Sequence, residues 1–181
     1  EPTFRHKMYA DYKGTRKPMP EELREQVPLM KEVLAAMGVP ILTMAGYEAD
    51  DILGTIAKRC QAEGEEVSVV SGDRDLLQLS DTHIKIRIPK TSRGTTEIHD
   101  YYPEDVKREY QVTPTEFIDV KALMGDTSDN IPGVPSIGEK TATNLIVAYG
   151  SIENAYAHLD EVKPPRAKKA LEEHYDLAVM S

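Results

Sequence analysis

The stretch EVSVVSGDRD, residues 66–75, is the most informative about the fold because it joins a predicted strand to an acidic turn. Its first six residues are rich in valine and are bounded by Gly64 and Gly72, which predicts a short buried strand. Asp73 and Asp75 follow that strand directly. Ligands of open α/β sheets bind at the carboxyl ends of the strands. The stretch therefore predicts an α/β fold with carboxylates at the ligand-binding edge of the sheet.

The surrounding pattern alternates strands with helices up to about residue 100, and helices dominate afterwards. The predicted helices are 20–37, 48–63, 75–79, 103–110 and 114–124, the predicted strands are 39–44, 66–71 and 84–88, and 95–99 pairs with the last of these. A loop at 125–132 leads to a helical hairpin at 134–156. We predict a mostly parallel central sheet flanked by helices within residues 1–124, and a helical subdomain at 125–181.

Composition fits one globular domain, or one with an appended helical part, since the chain has 181 residues of which 40% are hydrophobic. Its 22 Lys and Arg against 31 Asp and Glu give a formal charge of −9, which taken alone argues against a polyanionic partner. The basic residues are concentrated, however, at the start of the chain, at 85–93 and at 163–169. Divalent cations held by clustered acids would remove much of the negative charge.

The single cysteine, Cys60, has no partner for an internal disulfide, so we expect a reducing, cytoplasmic setting. The longest mostly apolar stretch, 33–45, is too short to span a bilayer and is broken by Gly38 and Pro40. The chain opens with Glu1 and ends inside a helical pattern. We therefore expect it to be a piece of a longer protein.

Seven carboxylates form three short clusters, each where a helix begins or a strand ends. They are Glu48, Asp50 and Asp51 in GYEADD, Asp73 and Asp75 in SGDRD, and Asp126 and Asp129 in GDTSDN. Each cluster also has a purely structural interpretation, as acids favourable to a helix N-terminus or as turn formers. Their conjunction favours a site, because acids brought together at one sheet edge repel each other unless a cation is present. Oxygen ligands without Cys or His indicate Mg²⁺ or Mn²⁺, and two such ions can clamp a phosphodiester in an in-line displacement.

The segment GVPSIGEKT, residues 133–141, follows the third acidic cluster and reads as a turn between two helices. An ordinary hairpin packed for stability is one interpretation. The other is a phosphate clamp, because Gly138 precedes Lys140 and Thr141 at a helix N-terminus, where free N–H groups favour an anion. Such contacts hold a duplex by its backbone without sequence preference.

The chain as a whole resembles the 5′ nuclease domain of bacterial DNA polymerase I, within the flap endonuclease superfamily. The resemblance rests on the motifs FRHKMYADYKGTR, PEELREQVPLMKEVL, GYEADDILGTIA, SGDRDLLQL, LMGDTSDNIPGVPSIGEKTA and YGSIENAY, which run over most of the chain in the family's order. It implies a PIN-like nuclease core, metal-dependent removal of 5′ flaps and RNA primers from duplex DNA in replication and repair, and a monomer.

The resemblance also implies roles for the acids. Glu48 and Asp50 look like ligands of a first metal, and Asp73, Asp75 and Asp129 look like the group at a second. Asp51 and Asp126 are similar to residues that act partly through metal-bound water. Two further metal-binding aspartates of the family lie before the FRH segment and are absent here, so the resemblance implies an incomplete set of ligands and a piece of an active enzyme, and it leaves open whether this piece cuts by itself.

The resemblance implies DNA contacts as well. Lys13 and Arg16 match basic residues at the base of the family's helical arch, within residues 1–37, and would steer the scissile phosphate; without the resemblance they read as a solvated loop. Arg5 and Tyr12 are further candidates. The implied duplex contacts of the helix-hairpin-helix are Gly133, Ser136, Gly138, Lys140 and Thr141, with K⁺ bound to its carbonyls. Ser136 stands where many relatives carry Gly.

Three hypotheses follow. The first is a flap nuclease, and the second is a non-catalytic module that binds branched DNA. The third is a ribonuclease of the related PIN type, against which the duplex clamp speaks.

Overall fold

A computed structural model describes residues 2–180, and its sheet is built around one strand of alternating isoleucines. The sheet consists of β1 (Val67–Val70), β2 (Ile84–Ser92) and β3 (Thr95–Tyr101) in that order. β2 is parallel to β1 and antiparallel to β3. The predicted α/β class is confirmed, but the sheet is smaller and more mixed than the predicted one. The two-residue turn after Ser92 makes the sheet mixed, because so short a connection joins only antiparallel strands.

Helices cover the sheet and form the second part of the chain. They are α1 (Phe4–Met8), α2 (Glu21–Ala36), α3 (Ala49–Ala62), α4 (Pro103–Tyr110), α5 (Pro114–Met124), α6 (Glu139–Tyr149), α7 (Ile152–Ala157) and α8 (Pro165–Met180), with 3₁₀ helices at Arg74–Leu79 and Leu159–Glu161. In the described part of the chain no helix has the length and apolar character needed to cross a membrane.

The core joins the sheet to the later helices. Ile84 and Ile86 of β2 are fully buried, as are Leu77 in the first 3₁₀ helix, Leu123 in α5 and Ile146 in α6. Alternation along β2 therefore decides which side packs, as its sequence predicts. The predicted helices 103–110 and 114–124 are found with the same bounds, because a proline at the first helical position fixes each start.

Three predictions about local structure were wrong. Residues 39–44 form no strand in the described chain, since no neighbouring strand accepts their backbone hydrogen bonds. Leu42 among them is 62% exposed. The loop 125–132 contains the short pair β4 (Gly125–Asp126) and β5 (Ile131–Pro132). The hairpin's first helix starts at Glu139 and not at 134, because Ser136 has a φ of 68° that no helix accommodates. Helix α2 forms as predicted, but none of its residues is buried.

Candidate metal centre and nucleic-acid interface

A cavity of about 280 Å³ lies where β1 ends and α3 begins. Six of the seven predicted metal ligands line it: Glu48, Asp50, Asp73, Asp75, Asp126 and Asp129. They come from the start of α3, from the turn after β1 and from the segment between α5 and α6. The fold thus brings together acids that are distant in the sequence. The cavity is also lined by the basic side chains of Arg5, Lys13, Arg16 and Lys121 and by the phenol of Tyr12.

Glu48 and Asp129 share their partners on one side of the cavity. The Tyr12 hydroxyl donates to Oε2 of Glu48 at 2.8 Å and to Oδ2 of Asp129 at 3.1 Å. Lys13 Nζ lies 2.7 Å from Oε1 of Glu48 and 3.6 Å from Oδ2 of Asp129, and Arg16 pairs with Asp129 as well. Burial and the hydrogen bond to Glu48 raise the pKa of Tyr12, so its proton stays on the phenol. These cations make the close approach of two carboxylates tolerable.

Backbone contacts hold the Tyr12–Arg16 loop against the third acidic segment. The Lys13 N–H donates to the Asp129 carbonyl at 2.7 Å, and the Asn130 side-chain amide donates to the Asp11 carbonyl at 2.7 Å. Lys13 and Asn130 both have positive φ, of 56° and 57°. Such backbone costs about 1 kcal/mol or more for a residue such as lysine, whereas asparagine adopts it more readily. The hydrogen bonds between the two loops hold Lys13 in this conformation.

Lys121 occupies the other side of the cavity and was not among the predicted site residues. Its Nζ lies 3.0 Å from Oδ1 of Asp75 and 3.1 Å from Oδ2 of Asp126. Burial would raise the pKa of Asp126, but hydrogen bonds from Ser128 and Lys121 outweigh it and lower that pKa to about 2. Burial raises the pKa of Asp75 despite Lys121. A lysine in the last turn of a helix ordinarily indicates an interaction with the helix dipole, so nothing in its position pointed to the cavity.

Within residues 2–180, neither Asp50 nor Asp73 forms an ion pair with a lysine or arginine, and Asp50 faces the charge of Asp73. Burial, and then the negative charges of Asp73 and Glu48, raise the pKa of Asp50. Asp73 accepts the Asp75 N–H at 2.9 Å, which caps the 3₁₀ helix Arg74–Leu79. A carboxylate such as that of Asp50, whose proton affinity rises because it is buried and then because acids surround it, is one whose charge a bound cation would stabilise.

Asp51 is the predicted ligand that lies outside the cavity lining, and it is paired with Arg5, which does line the cavity. Arg5 donates to both carboxylate oxygens of Asp51 at 2.8 Å, and Asp51 accepts the Glu48 N–H at 2.8 Å. Hydrogen bonding by Arg5 lowers the pKa of Asp51 and raises that of Arg5. Asp51 does not line the 280 Å³ cavity. The pair therefore fixes the start of α3 and, with it, the direction in which Glu48 faces.

The donor chemistry fits a hard divalent cation, since every acid that lines the cavity offers oxygen. Across residues 2–180, however, no three His, Cys, Asp or Glu side chains are gathered closely enough to hold a metal as they stand. The reason lies in the ion pairs: Lys121 separates Asp75 from Asp126, while Tyr12 and Lys13 lie between Glu48 and Asp129. Protein cations occupy the space between the acids, and a bound metal would compete with them.

The predicted duplex contacts lie on the neighbouring hairpin. Gly133 packs so closely on Gly125 that a Cβ there would come within 2.4 Å of the Gly125 nitrogen. Val134 and Ile137 are buried, while Ser136, Gly138 and Lys140 are exposed and Thr141 is half-buried. Gly138 is the N-cap of α6 and supplies no side-chain hydrogen bond to the first turn. The first-turn N–H groups are thus left uncapped by the residue that usually satisfies them.

A second cavity, of about 630 Å³, connects that hairpin to the acids. Lys140, Thr143 and Asn144 of α6 line it, and so do Asp75 and Lys121, which also line the first cavity. The hairpin helix and the acidic cavity therefore form one continuous surface.

Two family models match the chain from end to end. Residues 1–111 match the N-terminal resolvase-like domain of 5′-3′ exonuclease, and residues 112–181 match the C-terminal SAM fold of 5′-3′ exonuclease. DNA polymerase I of Bacillus caldotenax is 49% identical over 179 residues, which is 99% of this chain and 20% of that protein. DNA polymerase I of Bacillus subtilis strain 168 is 47% identical over the same shares. The chain thus spans about a fifth of the length of these relatives.

Solved structures show the same fold. The T5 D15 protein co-crystallised with metal ions aligns with a TM-score of 0.78 at 26% identity, over 99% of this chain and 68% of that one. The catalytic core of Rad2 in complex with a DNA substrate aligns with a TM-score of 0.54 at 18% identity, over 98% and 52%. The second likeness shows the fold alone.

Proposed function

The chain belongs to the 5′-3′ exonuclease family, and from that membership we propose that it is the nuclease part of a bacterial DNA polymerase I. We propose a structure-specific 5′ nuclease that hydrolyses the phosphodiesters of 5′ flaps and RNA primers on duplex DNA in replication and repair. It uses divalent metal ions, works as a monomer and acts in the cytoplasm. One observation carries the proposal: six carboxylates from three distant segments line a single cavity.

Divalent cations, Mg²⁺ or Mn²⁺, are the proposed cofactors. Glu48 and Asp50 would hold one ion, and Asp73, Asp75 and Asp129 the other, with Asp126 supporting them. When bound, the ions supply a polarised water and charge stabilisation for the leaving oxygen. We assign Asp51 a different role, because its carboxylate is paired with Arg5 and does not line the cavity. It is better described as a positioning residue for Glu48.

Lys13 and Arg16 are the proposed phosphate-positioning residues. Both line the acidic cavity, and Arg16 is 51% exposed while Lys13 is 21% exposed. Each holds a carboxylate in the absence of substrate and offers N–H donors that a scissile phosphate would also accept. Tyr12 keeps its proton and fixes the Glu48 and Asp129 carboxylates by donating to both.

Duplex DNA would lie along the hairpin. The uncapped start of α6, with Lys140 and Thr141 in its first turn, suits a backbone phosphate. Gly133, Ser136 and Gly138 give the turn its shape, and the proposed K⁺ site uses its carbonyls. A related solved structure is described as a flap endonuclease pseudo-enzyme-product complex with DNA and metal ions, at 26% identity and a TM-score of 0.78. That likeness supports a branched-DNA substrate for this chain.

The experiment is cleavage of a 5′-labelled flap duplex in Mg²⁺, in Mn²⁺ and in EDTA, by the chain and by its Asp73→Asn variant. The proposal expects a cut at the branch that needs the metal and is lost in the variant. An N-terminally extended version run beside it shows whether further ligands are needed. Equal cutting of linear single-stranded RNA would indicate the PIN-type ribonuclease instead.

A second candidate is a non-catalytic module that binds branched DNA. The ion pairs of Lys13, Arg16 and Lys121 favour it, because protein cations already neutralise the acids. Tight binding of flap duplexes by both short and extended chains, with no cut in any divalent ion, would support this candidate and exclude the nuclease.

A further inference from the structure

The hairpin of β2 and β3 extends well beyond the body of the molecule. Val70, the last residue of β1, pairs with Arg87, and β2 continues five residues further to Ser92. At about 3.3 Å per residue this overhang is roughly 16 Å long. Burial follows the same boundary, since Ile84, Ile86 and Ile88 are buried whereas residues 89–99 are all exposed. We call residues 89–96 the hairpin tip.

The hairpin tip projects from the edge of the sheet that carries the acidic cavity. β1 and β2 are parallel, so their carboxyl ends lie at the same edge. Asp73 and Asp75 follow the end of β1 there, and the hairpin tip follows the end of β2. A nucleic acid bound across the cavity would therefore pass close to the hairpin of β2 and β3.

The hairpin tip is cationic in an acidic protein. Lys90 and Arg93 are its charged residues, and it has no Asp or Glu, in a chain of formal charge −9. No ion pair within residues 2–180 engages either one. Near the body, by contrast, the hairpin of β2 and β3 pairs its cations Lys85 and Arg87 with Asp100. At its end Lys90 and Arg93 form no ion pair in the described chain; Glu97 lies opposite Lys90 in the register, but its ion-pair neighbour is His99.

Arg93 adopts a backbone conformation at the turn that is unfavourable for an arginine. Arg93 and Gly94 form the turn with φ of 51° and 81°. Two-residue turns with both φ positive favour Asn-Gly or Asp-Gly, and a side chain other than Asn or Asp costs about 1 kcal/mol or more there. Arginine gains nothing from packing at this exposed position. The flanking residues add hydroxyls: Thr91, Ser92, Thr95 and Thr96.

We propose that the hairpin tip binds the phosphate backbone of the nucleic acid substrate, several nucleotides from the acidic cavity, through Lys90 and Arg93. Exposed cations among hydroxyls suit phosphate oxygens and carry no base information. The contact adds affinity and orientation beyond those supplied by the hairpin of α6. The inference rests on the proposed nuclease function for its substrate, and the experiment separates the two.

The experiment measures binding of a labelled 5′-flap duplex at several salt concentrations with Ca²⁺ in place of Mg²⁺, and cleavage in Mg²⁺. The variants are Lys90→Gln and Arg93→Asn, the second of which removes the charge while suiting the left-handed turn. Arg59→Gln is the matched control, because it removes one charge from the exposed far end of α3, at the opposite edge of the sheet. Arg93→Lys keeps the charge.

Lys90→Gln and Arg93→Asn are each expected to weaken binding several-fold. Each should also reduce the slope of log K against log salt by about 0.9, as the loss of one phosphate contact does on duplex DNA. Arg59→Gln and Arg93→Lys should stay near the original chain, and two flap duplexes of different sequence should behave alike. Tip variants that bind like Arg59→Gln, while the original chain binds and cuts, overturn the inference and leave the nuclease intact. Tip-dependent binding without cutting, by this chain and by its N-terminally extended version, supports the inference and removes the nuclease. Absence of any binding overturns both.

Discussion

Lys121 Nζ lies 3.0 Å from Oδ1 of Asp75, across the cavity in which the acids of three segments meet. The same ammonium reaches Asp126 at 3.1 Å. It occupies the place of a counter-ion between two of the proposed metal-binding acids. The competition between this lysine and a divalent cation is therefore a property that can be measured.

Lys121→Met should lower the stability of the protein without metal and increase the stabilisation that Mg²⁺ provides. In EDTA the variant is expected to lose about 1 kcal/mol of unfolding free energy, a modest figure because the three groups are partly exposed. With Mg²⁺ its melting temperature should rise more than that of the original chain, since no ammonium has to be displaced. Thermal melts in both conditions check this. Lys168→Met breaks an exposed pair with Asp160 and serves as the control; equal Mg²⁺ shifts in all three proteins would contradict the prediction.

Gly125→Ala should be far more damaging than an ordinary substitution of a glycine with positive φ. A Cβ on Gly125 would come within 2.2 Å of the Gly133 nitrogen, at a φ of 72°. We expect a loss of about 3 kcal/mol or more in unfolding free energy, because backbone cannot move aside as a flexible side chain does. Urea unfolding measures it.

Gly150→Ala is the matched control for that substitution. Gly150 has a similar φ of 78° with nothing within 4 Å of its Cβ position, so it should cost about 1 kcal/mol. Similar losses at the two glycines would mean that the contact between β4 and β5 is looser than the structure has it.

Ser136→Gly should stabilise the protein by about 0.5–1 kcal/mol, because Ser136 is exposed and has a φ of 68° that glycine adopts without strain. Ser68→Gly, at an exposed position in β1, should have the opposite sign. Unfolding free energies of the two variants decide the matter, and destabilisation by Ser136→Gly would show that the serine hydroxyl has a role that outweighs its backbone strain.

Tyr101 should give the protein a measurable alkaline dependence. Burial, and then the hydrogen bond that its hydroxyl donates to Oε2 of Glu109 at 2.8 Å, raise the pKa of Tyr101 to about 12. A raised pKa means that the stabilisation is complete below the unfolded value of about 10 and is lost as the pH rises toward 12. The loss attributable to this group is about 3 kcal/mol, at about 1.4 kcal/mol for each pH unit by which the pKa rises above 10.

Tyr101→Phe is the variant that isolates this effect, because other groups titrate in the same range in both proteins. It should be about 1 kcal/mol less stable at pH 8, through loss of the hydrogen bond, and should lose less stability between pH 10 and 12. Parallel curves of unfolding free energy against pH would contradict the assignment.

Local pattern was sufficient for much of this fold. Pro103 and Pro114 mark helix starts by the covalent geometry of proline, and the alternation at Ile84, Ile86 and Ile88 identifies the buried side of β2. Residues 39–44 were predicted as a strand because an apolar run carries no information about whether a partner strand is present. Their side chains are largely exposed in the described chain.

Some residues of the candidate site could be predicted from local sequence, and others could not. The acids were found because three clusters share one residue type and one position at the ends of elements, and six of them do line one cavity. Lys121 was missed because its partners, Asp75 and Asp126, are determined by tertiary packing. The predicted role of Asp51, to act partly through metal-bound water, stays a prediction; its carboxylate accepts two hydrogen bonds from Arg5.

Acids from three distant segments are expected to hold divalent cations in one cavity. Mn²⁺ titration followed by electron paramagnetic resonance tests it directly, without depending on catalysis. The variants are one acid from each segment, Glu48→Gln, Asp73→Asn and Asp129→Asn. Asp119→Asn is the control, because Asp119 accepts the Ile152 N–H and lies outside the cavity. Each site variant should weaken Mn²⁺ binding by about tenfold or more, while the control binds like the original chain. Unchanged Mn²⁺ binding in all three site variants would contradict the claim.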